Sequence, residues 1–176
     1  MDKILKIAIT GPESTGKSRL AMELAAYYKT VYVPEFAREY IDHLNRPYTQ
    51  EDILKIAKGQ IEGEERWIKE AERVLFCDTE LIVTKIWSEV KYGNCNSWIL
   101  EKIEENKYDL CLLCDIDLPW EEDPQREHPH MREKLFMLYH DELTRRGVPF
   151  NVISGLGRKR LMNAVGFVEP VLANNQ

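Results

Sequence analysis

The chain has 176 residues, enough for one domain with a substantial core and too few for a second catalytic domain. Its formal charge of −6 argues against a nucleic-acid partner, and 44% hydrophobic with 31% charged residues is the balance of a soluble globular protein acting on a small molecule. No apolar run approaches the roughly 20 residues of a membrane span, and residues 1–3 lead straight into a core strand without a signal-peptide pattern, so a cytoplasmic protein that does not associate with membranes is expected.

Residues 4–10 are an apolar run that reads as a buried parallel strand, and residues 19–26 read as a helix. Between them, Gly11-Pro12-Glu13-Ser14-Thr15-Gly16-Lys17-Ser18 matches the phosphate-binding loop G-x-x-x-x-G-K-[ST] at every fixed position. Glycines let the backbone curl so that successive N–H groups of Gly11, Glu13, Ser14, Thr15 and Gly16 point into one concavity, and the helix N-terminus adds partial positive charge. Lys17 is expected to reach the β- and γ-phosphates of ATP, and the Ser18 hydroxyl to bind Mg²⁺.

Residues 30–33 form a short strand ended by Pro34, after which residues 35–41 read as helix. Glu35 and Arg38 then lie three apart on one face at the carboxyl edge of the sheet, where open α/β sheets bind ligands; a surface ion pair is the competing reading. Thr49-Gln50-Glu51-Asp52 looks like a capping arrangement for a long amphipathic scaffold helix with Trp67 at its edge. The strand at residues 74–77 terminates in Asp78-Thr79-Glu80. An apolar strand ending in a carboxylate is the second half of a phosphate-loop machine, so Asp78 is expected beside the Mg²⁺ held by Ser18. Thr79 can cap the next helix, whose apolar face is Leu81, Ile82, Ile86 and Val90 and whose stop is Tyr92-Gly93-Asn94. Trp87 falls off that stripe; packing on a neighbour is expected, with lining a pocket as the alternative. A helix over residues 97–106 leads into a fourth strand at 109–114.

Cys111 and Cys114 make a C-x-x-C, but within a strand residues three apart point to opposite faces, so buried free thiols are expected and a redox or metal pair is not. Residues 118–132 are too polar and proline-broken for regular structure and read as a lid. Arg126 and Arg132 are the lid cations available to a transferring phosphoryl group, and Trp120 is an aromatic that could stack on a flat or cationic ligand. His128 and His130 match no metal motif. A helix over 132–146, a fifth strand at 149–153 and a last helix opened by Arg158-Lys159-Arg160 complete the chain. Cations at a helix start oppose the macrodipole and hint that Arg158 faces an anion such as ATP, with a solvated basic patch as the alternative. Strands alternating with helices behind such a loop imply a three-layer α/β fold with a five-stranded parallel sheet, of the P-loop NTP hydrolase type and like a nucleoside or nucleotide kinase.

Taken together, residues 11–18, Pro34-Glu35-Phe36-Ala37-Arg38-Glu39-Tyr40, Phe76-Cys77-Asp78-Thr79-Glu80, and Trp120 followed six residues later by Arg126 resemble the ribosylnicotinamide kinase domain at the C-terminus of the bacterial NAD-biosynthesis regulators. The resemblance covers essentially the whole chain. It implies ATP-dependent phosphorylation of the 5′-hydroxyl of nicotinamide riboside, with Lys17, Glu35, Asp78 and Arg126 at the reacting groups and Glu35, Arg38, Asp78, Thr79 and Trp120 near the acceptor. Trp120 looks like the aromatic that stacks on the nicotinamide ring. The nucleotidyltransferase and helix-turn-helix domains of larger relatives are not found, so a stand-alone kinase is expected. Asp78 and Glu35 are both able to orient the attacking hydroxyl, and the residues do not separate them. A kinase for another small nucleoside or metabolite, and an ATP-driven regulatory ATPase, are the competing functions.

Overall fold

The computed structural model describes residues 3–175. Its strands are β1 (Leu5–Thr10), β2 (Tyr32–Val33), β3 (Val74–Asp78), β4 (Leu110–Cys114) and β5 (Phe150–Ile153). Its helices are α1 (Lys17–Tyr28), α2 (Phe36–Asp42), α3 (Gln50–Trp67), α4 (Leu81–Tyr92), α5 (Ser97–Glu105), α6 (Arg132–Arg145) and α7 (Gly157–Ala173). All strand pairs are parallel, and the five-stranded sheet has the order β2-β3-β1-β4-β5. Every residue of β3 and β4 is buried, as a central parallel strand covered on both faces requires.

Two apolar layers sandwich the sheet. On one face Ile7, Ile9, Phe76 and Leu112 pack with Leu20 and Leu24 of α1 and Val165 and Val168 of α7. On the other, Ala8, Cys111 and Leu113 pack with α3, α4, α5 and α6. Cys111 and Cys114 fall in these opposite layers and all four cysteines are free, as the strand period demands. Thr49 and Asp52 form a reciprocal capping box at the start of α3. At α4 the expectation is corrected: Glu80, not Thr79, is the N-cap, and its carboxylate accepts from the Ile82 N–H. Thr79 has φ 77°, a left-handed conformation unlike the extended one an N-cap residue adopts. No helix among the described residues is long and apolar enough to cross a membrane.

This topology sets β1 between β3 and β4, with Ile9 in register with Asp78 and Thr10 with Leu113. The loops after β1, β2 and β3 therefore open at one edge of the sheet. They carry the phosphate loop, Glu35 and Asp78.

Candidate active site

The loop over residues 11–18 turns sharply because Gly11, Ser14 and Gly16 take φ values of 133°, 57° and 74°. At Gly11 a Cβ would come within 3.0 Å of the Cys114 carbonyl, so only glycine lets the loop lie against the end of β4. Thr15 Oγ1 and Lys17 Nζ each donate to the Pro12 carbonyl at 2.8 Å. From α7, Arg160 is 5% exposed and braces the loop: its guanidinium donates to the Thr15 and Asp115 carbonyls at 2.8 and 3.1 Å and to Asp117 at 2.7 Å.

Asp78, at the end of β3, is 2% exposed, and its Oδ1 has no hydrogen-bond partner. Burial and the Glu35 charge push its carboxyl up to about 6, against the opposing effects of the Ser18 hydroxyl, the Lys17 ammonium and the Glu35 backbone N–H. An unsatisfied carboxylate oxygen near a hydroxyl is the donor set that a hard divalent cation takes. No cluster of three or more acidic, histidine or cysteine side chains able to hold a metal occurs among the described residues. Glu35 is the N-cap of α2 in extended conformation. Gln60 of α3, 3% exposed, joins the two carboxylate-bearing segments: its Oε1 accepts from the Phe36 N–H at 3.0 Å, and its Nε2 donates to the Asp78 and Thr79 carbonyls at 3.3 Å.

A cavity of about 470 Å³ opens in front of the loop. Residues 11–19, Glu35, Arg38 and Arg126 line its polar end; Tyr48 and Val83, Ile86, Trp87 and Val90 of α4 line its apolar side. The segment between β4 and α6 has no helix or strand and lies across this opening. It is tied down at several points. Arg38 Nη1 donates to both oxygens of Asp123 at 2.8 and 2.7 Å, Ser14 Oγ accepts from the Glu121 N–H at 2.9 Å, and Glu13 accepts from the backbone N–H groups of Glu127 and His128 at 3.2 and 3.0 Å. Arg126 donates to the Glu121 carbonyl and lies 3.4 Å from Ser14 Oγ.

The structure thus gathers the phosphate loop, Glu35, Arg38 and Arg126 around one opening, with Asp78 buried beside Glu35, Lys17 and Ser18 and absent from the cavity lining. Other residues singled out in the sequence lie elsewhere. Trp120 is absent from the cavity lining, and its indole N–H donates to Glu122 at 3.1 Å. Arg158 is exposed, whereas its neighbour Arg160 braces the loop. Arg132 donates to the Ile116 and Leu118 carbonyls and so tethers the base of the segment. Thr79 is buried with Oγ1 unpartnered and does not line the cavity. Trp87, for which spacing leaves packing and pocket lining both open, does both: it lines the cavity and packs beside the core. Gln60 and Tyr48 carried no local motif, and Arg160 stood out only as part of the Arg158-Lys159-Arg160 cluster. A polar residue set among the apolar positions of α3, a pattern Glu64 shares, was the one available signal for Gln60.

The family model described as AAA domain matches residues 6–160. Over 126 residues the chain is 31% identical to the trifunctional NAD biosynthesis/regulator protein NadR of Escherichia coli (strain K12), an alignment covering 68% of this chain and 30% of that protein. The chain therefore spans under a third of the length of that relative. Among solved structures, a NadR protein in complex with NR superimposes with TM-score 0.83 at 20% identity, covering 96% of this chain and 51% of the other. Thymidylate kinase from Ehrlichia chaffeensis superimposes with TM-score 0.67 at 13% identity, covering 93% of this chain and 98% of the other. The fold is that of the P-loop kinases, and by the match over residues 6–160 the chain belongs to the AAA domain family.

Proposed function

We propose that this protein transfers the γ-phosphoryl group of ATP to the 5′-hydroxyl of nicotinamide riboside, giving nicotinamide mononucleotide. The observation that carries this reading is that Glu35, Lys17 and Ser18 line a cavity of nucleoside size, with Asp78 buried beside them. The similarity to NadR, and NR in the solved NadR complex, read as nicotinamide riboside, support the acceptor.

In this reading the backbone N–H groups of Gly11 and of residues 13–17 cradle the phosphates, and Lys17 exchanges the Pro12 carbonyl for phosphate oxygens. Arg126 exchanges the Glu121 carbonyl for developing charge on the transferred group. Glu35 lines the cavity and Asp78 lies behind it, so Glu35 accepts the hydrogen bond of the attacking hydroxyl, while Asp78 and Ser18 are the residues that would hold Mg²⁺. When bound, the ion neutralises charge on the β- and γ-phosphate oxygens. The tethered segment over residues 118–132 excludes water that would otherwise accept the phosphoryl group. Arg158 and Trp120 take no part in this scheme.

The test is ADP release across a panel of nucleosides. Turnover that depends on nicotinamide riboside supports the proposal; dependence on a different nucleoside replaces the acceptor, and turnover without acceptor points to a regulatory ATPase.

A further inference from the structure

The cavity has one wall that the phosphoryl-transfer scheme does not use. Val83, Ile86, Trp87 and Val90 recur at i, i+3, i+4 and i+7 along α4, which places them on one helix face. Such a stripe is ordinarily closed off by a neighbouring element. Here Val83, Trp87 and Val90 remain only partly buried because the stripe continues past the core and faces the cavity.

Tyr48, from the connection between α2 and α3, stands against Trp87 with ring centroids 4.8 Å apart and planes at 66°. The polar edges of the two rings are used up on each other and on their surroundings. Trp87 Nε1–H donates to the Tyr48 oxygen at 2.9 Å, the Lys91 ammonium donates to the same oxygen at 2.5 Å, and the Tyr48 hydroxyl donates to Glu127 at 2.6 Å. The Lys91 ammonium also lies 3.7 Å from the centroid of the Tyr48 ring. Both aromatic side chains are therefore held in place before any ligand arrives, and what they offer the cavity is apolar ring surface rather than hydrogen-bonding groups.

We propose that the Trp87–Tyr48 wall binds the flat ring of the acceptor and sets acceptor specificity. This rests on the kinase reading for the chemistry at the other end of the cavity. The acceptor class is then a nucleoside bearing an aromatic base, with its sugar directed to Glu35 and its ring against Trp87. A ring-free sugar leaves this wall exposed to water and binds poorly. Glu127 belongs to the segment covering the cavity, so the Tyr48 hydroxyl also links the ring wall to the cover.

Calorimetry on the full chain, in the presence of ADP and Mg²⁺, tests this with nicotinamide riboside, adenosine, thymidine and ribose. A flat-ringed nucleoside binds the wild type more tightly than ribose does, and Trp87→Ala weakens it by about tenfold or more, while ADP affinity stays within about twofold. Trp87→Leu preserves apolar bulk, keeps the test open should the alanine variant fail to fold, and weakens the same nucleoside about threefold or more. Ring-dependent binding that requires Trp87 but yields no phosphorylated product would sink the kinase reading and leave the ring site standing. The ring site is overturned if no flat-ringed compound outbinds ribose, if both Trp87 variants bind like wild type, or if affinity is lost only in Trp120→Ala.

Discussion

Glu35 acts on Asp78 in two opposing ways: its backbone N–H favours the ionised Asp78 carboxylate, while its side-chain charge disfavours ionisation of that same group. With burial added, the carboxyl sits at about 6. Glu35→Gln removes the charge and keeps the backbone donor. The Asp78 midpoint is then expected to fall below about 6 toward the ordinary carboxylate range, as read by carboxyl NMR titration of the ligand-free protein. An unchanged midpoint would mean that burial alone raises it.

Glu80 gives a second titration, one that bears on stability. It accepts from Thr10 Oγ1 at 2.9 Å and from the Ile82 N–H at 2.6 Å, and burial pushes its carboxyl up to about 7. Between the ordinary glutamate value and about 7 the folded chain holds a proton that the unfolded chain has released. Stability from this source is complete below the unfolded value and is lost as pH rises through the folded one. Asp78, raised to about 6, contributes with the same sign. Denaturant midpoints of the ligand-free protein should fall between about pH 5 and about pH 7.5, and Glu80→Gln should flatten that slope. A midpoint that rises over this range would contradict the assignment.

Gln60→Leu removes the partner of the Phe36 N–H and the donor to the Asp78 and Thr79 carbonyls. The expected loss is about 1–3 kcal/mol of stability. With α2 released from β3, kcat should fall about tenfold at little change in the KM for ATP. Denaturation together with steady-state kinetics separates the two effects.

Arg160→Lys keeps the charge but loses the fork that reaches Thr15, Asp115 and Asp117 together. About 2 kcal/mol of stability should be lost. Because Thr15 belongs to the phosphate loop, the KM for ATP should rise several-fold, and equilibrium binding of ADP checks this without the chemical step.

The parts of this site that follow from chain-local physics could be read from residue order. The phosphate loop needs two glycines five positions apart and a run of N–H groups between them, β3 and β4 declare themselves as continuous apolar runs, and the Thr49–Asp52 box joins residues three positions apart. What escaped depends on pairs far apart in sequence. Gln60 meets Asp78 across 18 positions, Trp87 meets Tyr48 across 39, and Arg160 meets Thr15 across 145. The placement of Trp120 failed for a related reason: within a segment lacking helix or strand no periodicity fixes which side chains face inward, and there Glu121 and Arg126 line the cavity while Trp120 does not. Arg158 and Arg160 show the same limit inside a helix, since both open α7 but only the second is turned toward the loop.

The most direct measurement is identification of the products formed from ATP, Mg²⁺ and nicotinamide riboside by mass spectrometry, with wild type and Asp78→Asn side by side. Phosphoryl transfer predicts nicotinamide mononucleotide and ADP in equal amounts with the wild type, and a loss of about 10²-fold or more in the variant. Release of ADP with inorganic phosphate, and no phosphorylated riboside, would contradict it.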